Sequence, residues 1–319
     1  MKTKIILQDL QHDGLDRRGF LKCMAWTGTG MLWTVTSGLL GSVLLPNRTN
    51  AADLPTNGSF SFVQISDSHI GFNKAANTDV AGTLKEAIAR INALPKAPDF
   101  ILHTGDLTHL SEPEEFDTLD QLLKGLKTSQ IFYVPGEHDV IGDNGKRYRE
   151  RFGKGTKGQG WYSFDHKGVH FIGLVNVMDI KENGLGILGN EQLGWLEEDL
   201  KDRSSETPIV LFAHVPLWAV YPEWGWGTDD AAQVLGYLKR FGSVTVLNGH
   251  IHQTLRKVEG RVTFHTARST AFPQPKPGQA PKPGPLKVEP GKLRDYLGIT
   301  DVNYAEANQP LAIVDSTLA

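Results

Sequence analysis

The chain has 319 residues, of which 39% are hydrophobic, and it carries a formal net charge of −3. A chain of this size and composition can bury a sizeable core, and one domain of roughly 250 residues with extensions fits better than two full domains. The near-neutral charge excludes a strongly basic protein, so the composition gives no indication of a nucleic-acid partner.

The first 51 residues have the pattern of an export signal. Arg17 and Arg18 stand together before Phe20, a moderately apolar run follows over residues 24–45, and small residues occupy the cleavage positions at 49–51. This pattern resembles a bacterial twin-arginine signal, which predicts a partner in the twin-arginine export machinery and a periplasmic location. An ordinary secretory signal and an uncleaved membrane anchor stay open as alternatives, since the run is about long enough to span a bilayer.

Cys23 is the only cysteine of the chain, and it lies within the predicted signal. The mature protein would then contain no thiol and no disulfide. This excludes cysteine-ligated zinc, iron–sulfur clusters and thiol chemistry. A metal site in this protein must therefore use histidine, carboxylate or amide ligands.

Three successive stretches predict buried strands, over residues 59–66, 99–104 and 130–134, because each is an apolar run rich in β-branched or aromatic residues. Apolar residues at helical spacing predict helices over residues 78–94 and 112–127 between them. Polar residues follow each strand: Asp67 and His69 after the first, Asp106 after the second, and Glu137, His138 and Asp139 after the third. Parallel strands with crossover helices bring such ends to one edge of a sheet.

A second sheet is expected from the middle of the chain. Residues 161–176 predict a β-hairpin, and residues 208–213 predict a buried strand that ends in His214. A histidine at another strand end is expected to be a ligand rather than a core residue. His166 and His170 have no partner motif, so they are expected to be surface or structural residues.

Residues 190–201 predict a helix capped by Asn190, and residues 230–240 predict another helix. Before the second of these, residues 218–230 form a loop rich in glycine and aromatic residues. Loops over strand ends carry specificity in many proteins. This loop either contacts the substrate or only packs against the protein.

Residues 244–248 predict a central strand that ends in two histidines. His250 and His252 are two positions apart, so in an extended backbone they point the same way. Further on, residues 272–291 are dense in proline, glycine and lysine and predict a strap without regular structure. Residues 311–314 predict an edge strand.

Residues able to bind metal lie at five separate strand ends: Asp67, His69, Asp106, Glu137, His138, His214, His250 and His252. A mononuclear site needs fewer ligands than this. Two-metal hydrolases need about this supply, with one carboxylate bridging ions about 3.5–4 Å apart. Two divalent ions would lower the pKa of a shared water and hold a phosphate ester by its oxygens.

The motifs Asp-x-His, Gly-Asp, Gly-x-His-Asp, His and Gly-His-x-His occur in this order from about residue 60 to residue 253. As a group they resemble the motif set of the calcineurin-like metallophosphoesterase family. The resemblance implies an α/β fold in which two mixed β-sheets form a sandwich flanked by helices. It also implies an enzyme that hydrolyses phosphate mono- or diesters with two metal ions, and the predicted signal would make this enzyme an exported one. The phosphoesterase domain is expected over residues 52–272, with residues 273–319 packing on the same domain.

The resemblance further implies two ligand groups and a bridge: Asp67, His69 and His252 for the first ion, Asp106 as the bridge, and His214 and His250 for the second ion. His138 would contact the phosphate and protonate the leaving oxygen, and Asp139 would orient His138. A histidine suits this role because its pKa lies near the working pH. The ions would be manganese, iron, zinc or similar.

Glu137 departs from the family pattern, which usually has asparagine at this position. Asparagine is a neutral oxygen ligand of the second ion, whereas glutamate is longer and negatively charged. We expect Glu137 to coordinate the ion directly, which would tighten that site; a Glu137 turned away would weaken it. Two other classes stay open: a metallohydrolase with a non-phosphate substrate, and a binding protein that keeps the fold without turnover.

Overall fold

A computed structural model of the chain describes residues 31–36, 39–44, 58–305 and 311–319. The arginine pair and the cysteine of the predicted export signal lie outside these residues. The chain divides into two compact units, Met1–Pro55 and Thr56–Ala319. In the first unit, strands β1 (Met31–Thr36) and β2 (Leu39–Leu44) pair antiparallel. Within the described ranges, none of the helices has the length and apolar character to cross a membrane.

The second unit is built of strands and helices that mostly alternate along the chain. Its strands are β3 (Phe60–Ile65), β4 (Phe100–His103), β5 (Ile131–Tyr133), β6 (Tyr162–His166), β7 (Val169–Gly173), β8 (Ile209–Phe212), β9 (Val244–Asn248), β10 (Leu255–Glu259), β11 (Val262–Thr266), β12 (Gly298–Tyr304) and β13 (Ala312–Thr317). Its α-helices are α1 (Val80–Asn92), α2 (Pro113–Leu123), α3 (Lys146–Phe152), α4 (Asn190–Lys201), α5 (Ala231–Leu238) and α6 (Leu293–Tyr296).

These strands form two mixed sheets. The first has the order β13-β12-β3-β4-β5. Strands β3, β4 and β5 are parallel to one another, and β12 pairs antiparallel with both of its neighbours, β3 and β13. The second has the order β10-β11-β9-β8-β7-β6, with parallel pairing from β7 through β8 and β9 to β11. Antiparallel hairpin strands close both of its edges. The carboxyl ends of β3, β4 and β5 therefore lie at one edge of the first sheet, and those of β8 and β9 at one edge of the second.

The two sheets pack face to face over an aromatic core. Phe62 and Phe100 of the first sheet stack with ring centroids 5.0 Å apart, and Phe171 of the second sheet meets both rings edge-on. Helices α1 and α2 bury their apolar faces on the first sheet, and α4 and α5 do so on the second. The layers are helix, sheet, sheet and helix, which confirms the predicted fold class.

Most predicted elements are present within a few residues of their expected bounds, but the cap of α4 differs. Asn190 is the first residue of this helix, and the cap position belongs to Gly189, whose φ of 80° favours glycine. The carboxylate of Asp230 accepts hydrogen bonds from the backbone N–H groups of Leu188 and Gly189, just before the helix, at 2.9–3.1 Å. The cap prediction for Asn190 is therefore wrong, because Gly189 occupies the cap position and no described side chain caps the helix.

The last part of the chain completes the first sheet. Residues 272–291 contain no helix or strand, and they lead to α6 and then to β12. Strand β12 pairs with β3, and β13 forms the outer edge beside it. The edge strand was expected from the sequence, but β12 was not.

Candidate metal centre

The turns that follow the strands have an uncommon backbone conformation. Asp67, His69, Asp106, His250 and His252 have φ values of 54°, 40°, 50°, 70° and 54°. These are five of the eight non-glycine residues with positive φ in the described ranges. Such a conformation costs of order 1–3 kcal/mol and persists only where the surroundings hold it. The extended backbone expected for Asp-x-His and His-x-His is therefore wrong, and the two histidines of the second motif enter different ligand groups.

Two glycines allow the loops of the site to approach each other. A Cβ atom on Gly136 would lie 2.1 Å from Asp106 Oδ1. One on Gly249 would lie 2.0 Å from Ser66 Oγ and 2.7 Å from Asp67 Oδ2. All three distances are shorter than a carbon–oxygen contact allows, so only glycine fits these positions without moving a carboxylate of the site.

Asp67, His69 and His252 form a first group of buried ligand atoms, within 4.8 Å of one another. His69 Nε2 lies 3.2 Å from His252 Nε2, which lies 3.2 Å from Asp67 Oδ1. The ring of Phe272 packs against both imidazoles, with centroid distances of 4.8 Å. One cation can therefore contact all three side chains while an apolar ring shields them.

Glu137, His214 and His250 form a second group whose ligand atoms also lie within 4.8 Å of one another; His214 is buried, and the other two are half-buried. Glu137 Oε2 lies 2.8 Å from His214 Nε2, and Glu137 Oε1 lies 2.9 Å from His250 Nδ1. The carboxylate is therefore turned towards the two imidazoles. Despite these short distances, Glu137 Oε2 and His214 Nε2 lack an aligned hydrogen bond to any described residue.

Asp106 lies between the two groups. Its Oδ2 atom is 3.4 Å from His69 Nε2 of the first group and 3.4 Å from His214 Nε2 of the second. Its Oδ1 atom accepts a hydrogen bond from the backbone N–H of His138 at 2.9 Å, which fixes the carboxylate in this position. One carboxylate thus touches both groups, which is the arrangement that a bridging ligand requires.

Backbone carbonyls orient two of the imidazoles. His214 Nδ1 donates to the carbonyl of Thr104 at 2.7 Å, and His252 Nδ1 donates to the carbonyl of Phe272. Each ring therefore presents the lone pair of Nε2 to the cluster. Sequence reasoning missed these two partners, because every residue has a carbonyl and no side chain marks the one that is used.

His138 lies at the same cluster, with a ring nitrogen within 4.8 Å of carboxylate oxygens of Asp106 and Glu137. Its Nδ1 donates to the carbonyl of His109 at 2.6 Å. The His109 ring stacks on the His138 ring with centroids 4.8 Å apart and an angle of 17° between the planes. His109 was not expected at the site, because it follows the Gly-Asp motif in a loop without a pattern of its own.

The carboxylate of Asp139, which was expected to orient His138, has its hydrogen bonds to other groups. Its fully buried carboxylate accepts hydrogen bonds from the backbone N–H groups of Leu107, Thr108 and Gly136 and from the Thr108 hydroxyl, at 2.8–3.0 Å. These four donors replace solvent around the carboxylate and join the loops that follow β4 and β5. The His138 imidazole has its hydrogen bond to the carbonyl of His109, and a role of Asp139 in orienting it stays a prediction.

The charged groups of the cluster shift one another's pKa. Burial opposes ionisation of Glu137, but His250 and His214 outweigh it and hold the pKa of Glu137 well below its ordinary value. Burial also opposes the charged form of His214, but Asp106 and Glu137 outweigh it and hold the pKa of His214 well above its ordinary value. The same two carboxylates raise the pKa of His138 against burial. Negative charge therefore dominates this part of the cluster and favours a cation.

The donor set fits metal ions. Several buried atoms have no hydrogen-bond partner among the described residues: His214 Nε2, Glu137 Oε2, His250 Nδ1 and His250 Nε2. Such atoms are rare in folded proteins unless a ligand, ion or water satisfies them. Burial, together with His138 and His252, holds the pKa of His69 well below its ordinary value, which favours the neutral form that binds metals. Imidazole nitrogen and carboxylate oxygen suit zinc, iron and manganese.

Two other histidines have structural roles away from the cluster. His170 is buried, with Nδ1 2.9 Å from Asp165 Oδ1 and Nε2 2.7 Å from Asp199 Oδ2. His166 lies 3.2 Å from Asp99 Oδ1. These pairs hold the β6–β7 hairpin to neighbouring elements.

The aromatic loop over residues 218–230 packs mainly on the protein itself. Trp226 is 1% exposed and meets Trp224 edge-on at 5.1 Å between centroids. Trp218 packs against Phe264 of β11 at 5.0 Å. These contacts favour the packing role over a role in substrate stacking.

Residues 60–254 match the model of the calcineurin-like phosphoesterase family. The matched range is more than half of the chain and contains all the motif residues of the cluster, so the chain belongs to this family. With its buried His and Asp cluster, it is a metallophosphoesterase, a hydrolase of phosphoric esters.

Similar curated proteins are also phosphoesterases. A probable glycerophosphodiester phosphodiesterase of Arcobacter nitrofigilis is 27% identical over 227 residues, which cover 65% of this chain and 77% of that protein. A 3',5'-cyclic-nucleotide phosphodiesterase of Nostoc is 26% identical over 218 residues, covering 66% of this chain and 79% of that protein. A serine/threonine-protein phosphatase of Danio rerio is 27% identical over 226 residues, which cover 61% of this chain and 71% of that protein.

Solved structures agree on the fold. A dimetal phosphatase from Danio rerio aligns with a TM-score of 0.58 at 15% identity, covering 82% of this chain and 99% of that one. A purple acid phosphatase from yellow lupin aligns with a TM-score of 0.59 at 14% identity, and the alignment covers 82% of this chain and 52% of that one. At these identities the likeness shows the fold alone, and it matches the two-sheet sandwich described above.

Proposed function

We propose that this protein is a dinuclear phosphodiesterase. The observation that carries the proposal is the position of Asp106, whose Oδ2 atom lies 3.4 Å from a ring nitrogen of each ligand group. Two ions held by these groups would lower the pKa of a water molecule and neutralise the charge of a bound phosphate. The first ion belongs to the group of Asp67, and the second to the group of Glu137.

Side chains around the cluster would donate the proton to the leaving group and shield the ions from solvent. His138 uses Nδ1 to bind the carbonyl of His109, so its Nε2 is the ring nitrogen that gives a proton to the leaving oxygen. The stacked ring of His109 restricts the rotation of His138. Phe272 covers the first ligand group and excludes water from its buried side.

The preference for diesters is supported by the names of the relatives. The Arcobacter and Nostoc proteins are both described as phosphodiesterases, one for glycerophosphodiesters and one for cyclic nucleotides. The Danio rerio protein is described as a phosphatase, so monoesters are the second substrate class to test.

A panel of phosphate esters tests the proposal directly. The purified protein is assayed with bis(4-nitrophenyl) phosphate and 4-nitrophenyl phosphate in the presence of manganese, iron, zinc or magnesium. We expect hydrolysis of the diester with at least one of these metals and much less with an Asp106→Asn variant, which loses the charge of the bridging carboxylate. If both esters stay intact under all four metals, the phosphodiesterase proposal fails.

We also propose that the protein is exported by the twin-arginine route. The support is the sequence alone: Arg17 and Arg18 precede an apolar run with small residues at its end. Residues 1–57 are fused to a folded reporter, and the reporter is measured in cell fractions. We expect periplasmic reporter from the natural sequence and none from a variant with lysine at both arginine positions. Unchanged export of that variant would favour an ordinary secretory signal.

A further inference from the structure

A cavity of about 710 Å³ adjoins the metal cluster, and His252 belongs to its wall. The other walls come from the residues that follow His252, from the strap around Pro273–Gln279, from helix α6, and from the single residues Val220, Arg268 and Leu286. His252 is therefore a member of the first ligand group and also a part of the cavity wall. A group bound in the cavity would therefore lie beside His252, a member of the first ligand group.

The strap wall is joined to the segment that carries the histidines. Gln274 Nε2 donates to the carbonyl of His250 at 2.8 Å, and Gln274 Oε1 accepts from the backbone N–H of Gly284 at 3.1 Å. Gln253 Nε2 donates to the carbonyl of Pro275 at 2.9 Å. The strap has no helix or strand, so hydrogen bonds from these side-chain amides hold it in place instead of regular backbone hydrogen bonds. They fix this part of the cavity wall next to the segment of His250 and His252.

Two buried polar atoms of the lining residues have no partner. Thr254 Oγ1 and Arg268 Nε are both inaccessible to solvent, and neither has a hydrogen bond to a described residue. The guanidinium of Arg268 is anchored at its other end, where Nη1 donates to the carbonyl of Asp295 at 2.8 Å. Unpaired buried donors cost free energy, so the Arg268 side chain has hydrogen-bonding capacity that the described residues do not use.

The charge of the lining favours an anion. Arg268 and Lys276 both line the cavity, whereas the one carboxylate among the lining residues, that of Asp295, lies 3.5 Å from Lys292 Nζ. Between the charged groups, Leu255, Pro273 and Leu286 are among the residues that offer apolar surface. This combination suits a short apolar chain that ends in an anionic group, because a guanidinium binds carboxylate and phosphate oxygens in pairs.

We propose that this cavity binds an anionic group on one organic arm of the phosphodiester, and that Arg268 selects for it. The proposal rests on the proposed function, because it takes the ester to be bound at the adjacent cluster. The substrate class is a phosphodiester in which one arm carries a carboxylate or a second phosphate. Lys276 adds a second, more exposed positive charge at the strap.

A series of matched diesters tests this assignment. Each has one 4-nitrophenyl arm, which water displaces as coloured 4-nitrophenolate. The other arm is a neutral alkyl, an ω-carboxyalkyl or an ω-phosphonoalkyl chain of two to six carbons. The measured quantity is the ratio of kcat/KM for each anionic diester to that for the neutral diester of equal length. We expect a ratio above one that peaks at one chain length, and the better of the two anions identifies the group.

The variants separate Arg268 from general charge effects. We expect Arg268→Gln to lower the ratio about tenfold, as for loss of a charged hydrogen bond, and Arg268→Lys to lower it less. The more exposed Lys276→Gln, which is expected to fold normally, lowers it about two- to fivefold. Arg256→Gln on the exposed strand β10 is the matched control and leaves the ratio unchanged. Thermal melting verifies that each variant is folded.

The outcomes distinguish two failures. If no diester of the series is hydrolysed, the proposed function fails and this proposal fails with it. If the diesters are hydrolysed but the ratio is one at every length, or is equal in the natural protein and in Arg268→Gln and Lys276→Gln, the enzyme is a phosphodiesterase and the anion site is wrong.

Discussion

Glu137 brings a third carboxylate to the cluster, beside Asp67 and Asp106. It contacts both imidazoles of the second group at 2.8 and 2.9 Å. Asparagine at this position would be shorter and neutral, so one negative charge would be lost from the second ion. We expect Glu137→Asn to change metal preference or the pH optimum more than it reduces the maximal rate.

Metal content by mass spectrometry and a pH–rate profile test this expectation on both proteins. Glu197→Gln, an exposed residue of α4, is the matched control for loss of one carboxylate. Identical metal content together with an unshifted pH profile would show that Glu137 does not act as a ligand.

His138 is expected to act on the leaving oxygen rather than on the ions. We expect His138→Gln to lower kcat by roughly 10²- to 10⁴-fold for diesters with an alkyl leaving group, because general acid catalysis contributes about this much. The effect should be much smaller for a 4-nitrophenyl leaving group, which needs no proton to depart. Bound metal should stay equal to that of the natural protein. An equal loss for both leaving groups would argue that His138 only positions the phosphate.

The side chains of the centre were predictable from the sequence, but their supports were not. Asp67, Asp106 and His214 stand out because a polar residue at the end of an apolar strand has no role in the core. The sequence does not indicate that the carbonyls of Thr104 and Phe272 bind histidines, since every residue has the same backbone carbonyl. The left-handed turns at Asp67 and His250 were also invisible, because local preference opposes them and only the folded surroundings hold them.

At the scale of whole elements, the turn after β9 depends on a glycine. A Cβ on Gly249 would collide with Ser66 Oγ and Asp67 Oδ2. We expect Gly249→Ala to destabilise the protein by about 1–3 kcal/mol through overpacking and to reduce metal retention. Gly194→Ala in α4 is the control, because its Cβ would meet no atom within 4 Å. Urea unfolding and metal analysis of both variants test the prediction; equal stability and equal metal content would contradict it.

The β6–β7 hairpin is fastened to α4 by a buried histidine and a carboxylate. Burial raises the free energy of the Asp199 charge, but hydrogen bonds from His170 and Ser163 outweigh it and lower the pKa of Asp199. A carboxyl group with a lowered folded-state pKa contributes stability that is complete above its unfolded value of about 3.9. This contribution is lost as pH falls through the folded-state pKa.

We therefore expect Asp199→Asn to cost about 1.5–3 kcal/mol of unfolding free energy near neutral pH, as for a buried hydrogen bond to a charged group. The difference from the natural protein should shrink below about pH 4. Urea unfolding across this range measures it, with the exposed Glu198→Gln of the same helix as control. A difference that stays constant at low pH would contradict the assignment of the charge to Asp199.

Element prediction succeeded where the pattern was local and failed where it was not. Strands β3, β4, β8 and β9 are apolar runs, and every one of their residues is buried. Strand β12 has the sequence GITDVNY, in which Asp301 and Asn303 weaken the pattern. It is a strand because β3 offers it a partner, and that partner lies more than two hundred positions earlier in the chain.

For the whole molecule, bound metal should contribute to stability. Three carboxylates meet in the cluster, and five residues of the cluster, two of these carboxylates included, have a strained backbone; a cation offsets both costs. Metal at about a hundredfold above its Kd stabilises the folded state by about 2.7 kcal/mol. We expect a chelator to lower the melting temperature by about 5–10 °C and re-added metal to restore it. Asp106→Asn should melt at nearly the same temperature with and without chelator. If the melting temperature of the natural protein does not change with chelator, the metal assignment is contradicted.

The pairing of β3 with β12 also governs how the chain acquires its shape during synthesis. A ribosome releases β3 early, and the neighbour that covers one of its edges, through pairs such as Phe62 with Val302, emerges only after β4–β11. Until then the first sheet displays an open row of backbone donors and acceptors, which is a template for joining other nascent chains. A chain interrupted before Gly298 would keep that edge open, so translation that stalls late should yield aggregates rather than a smaller working enzyme.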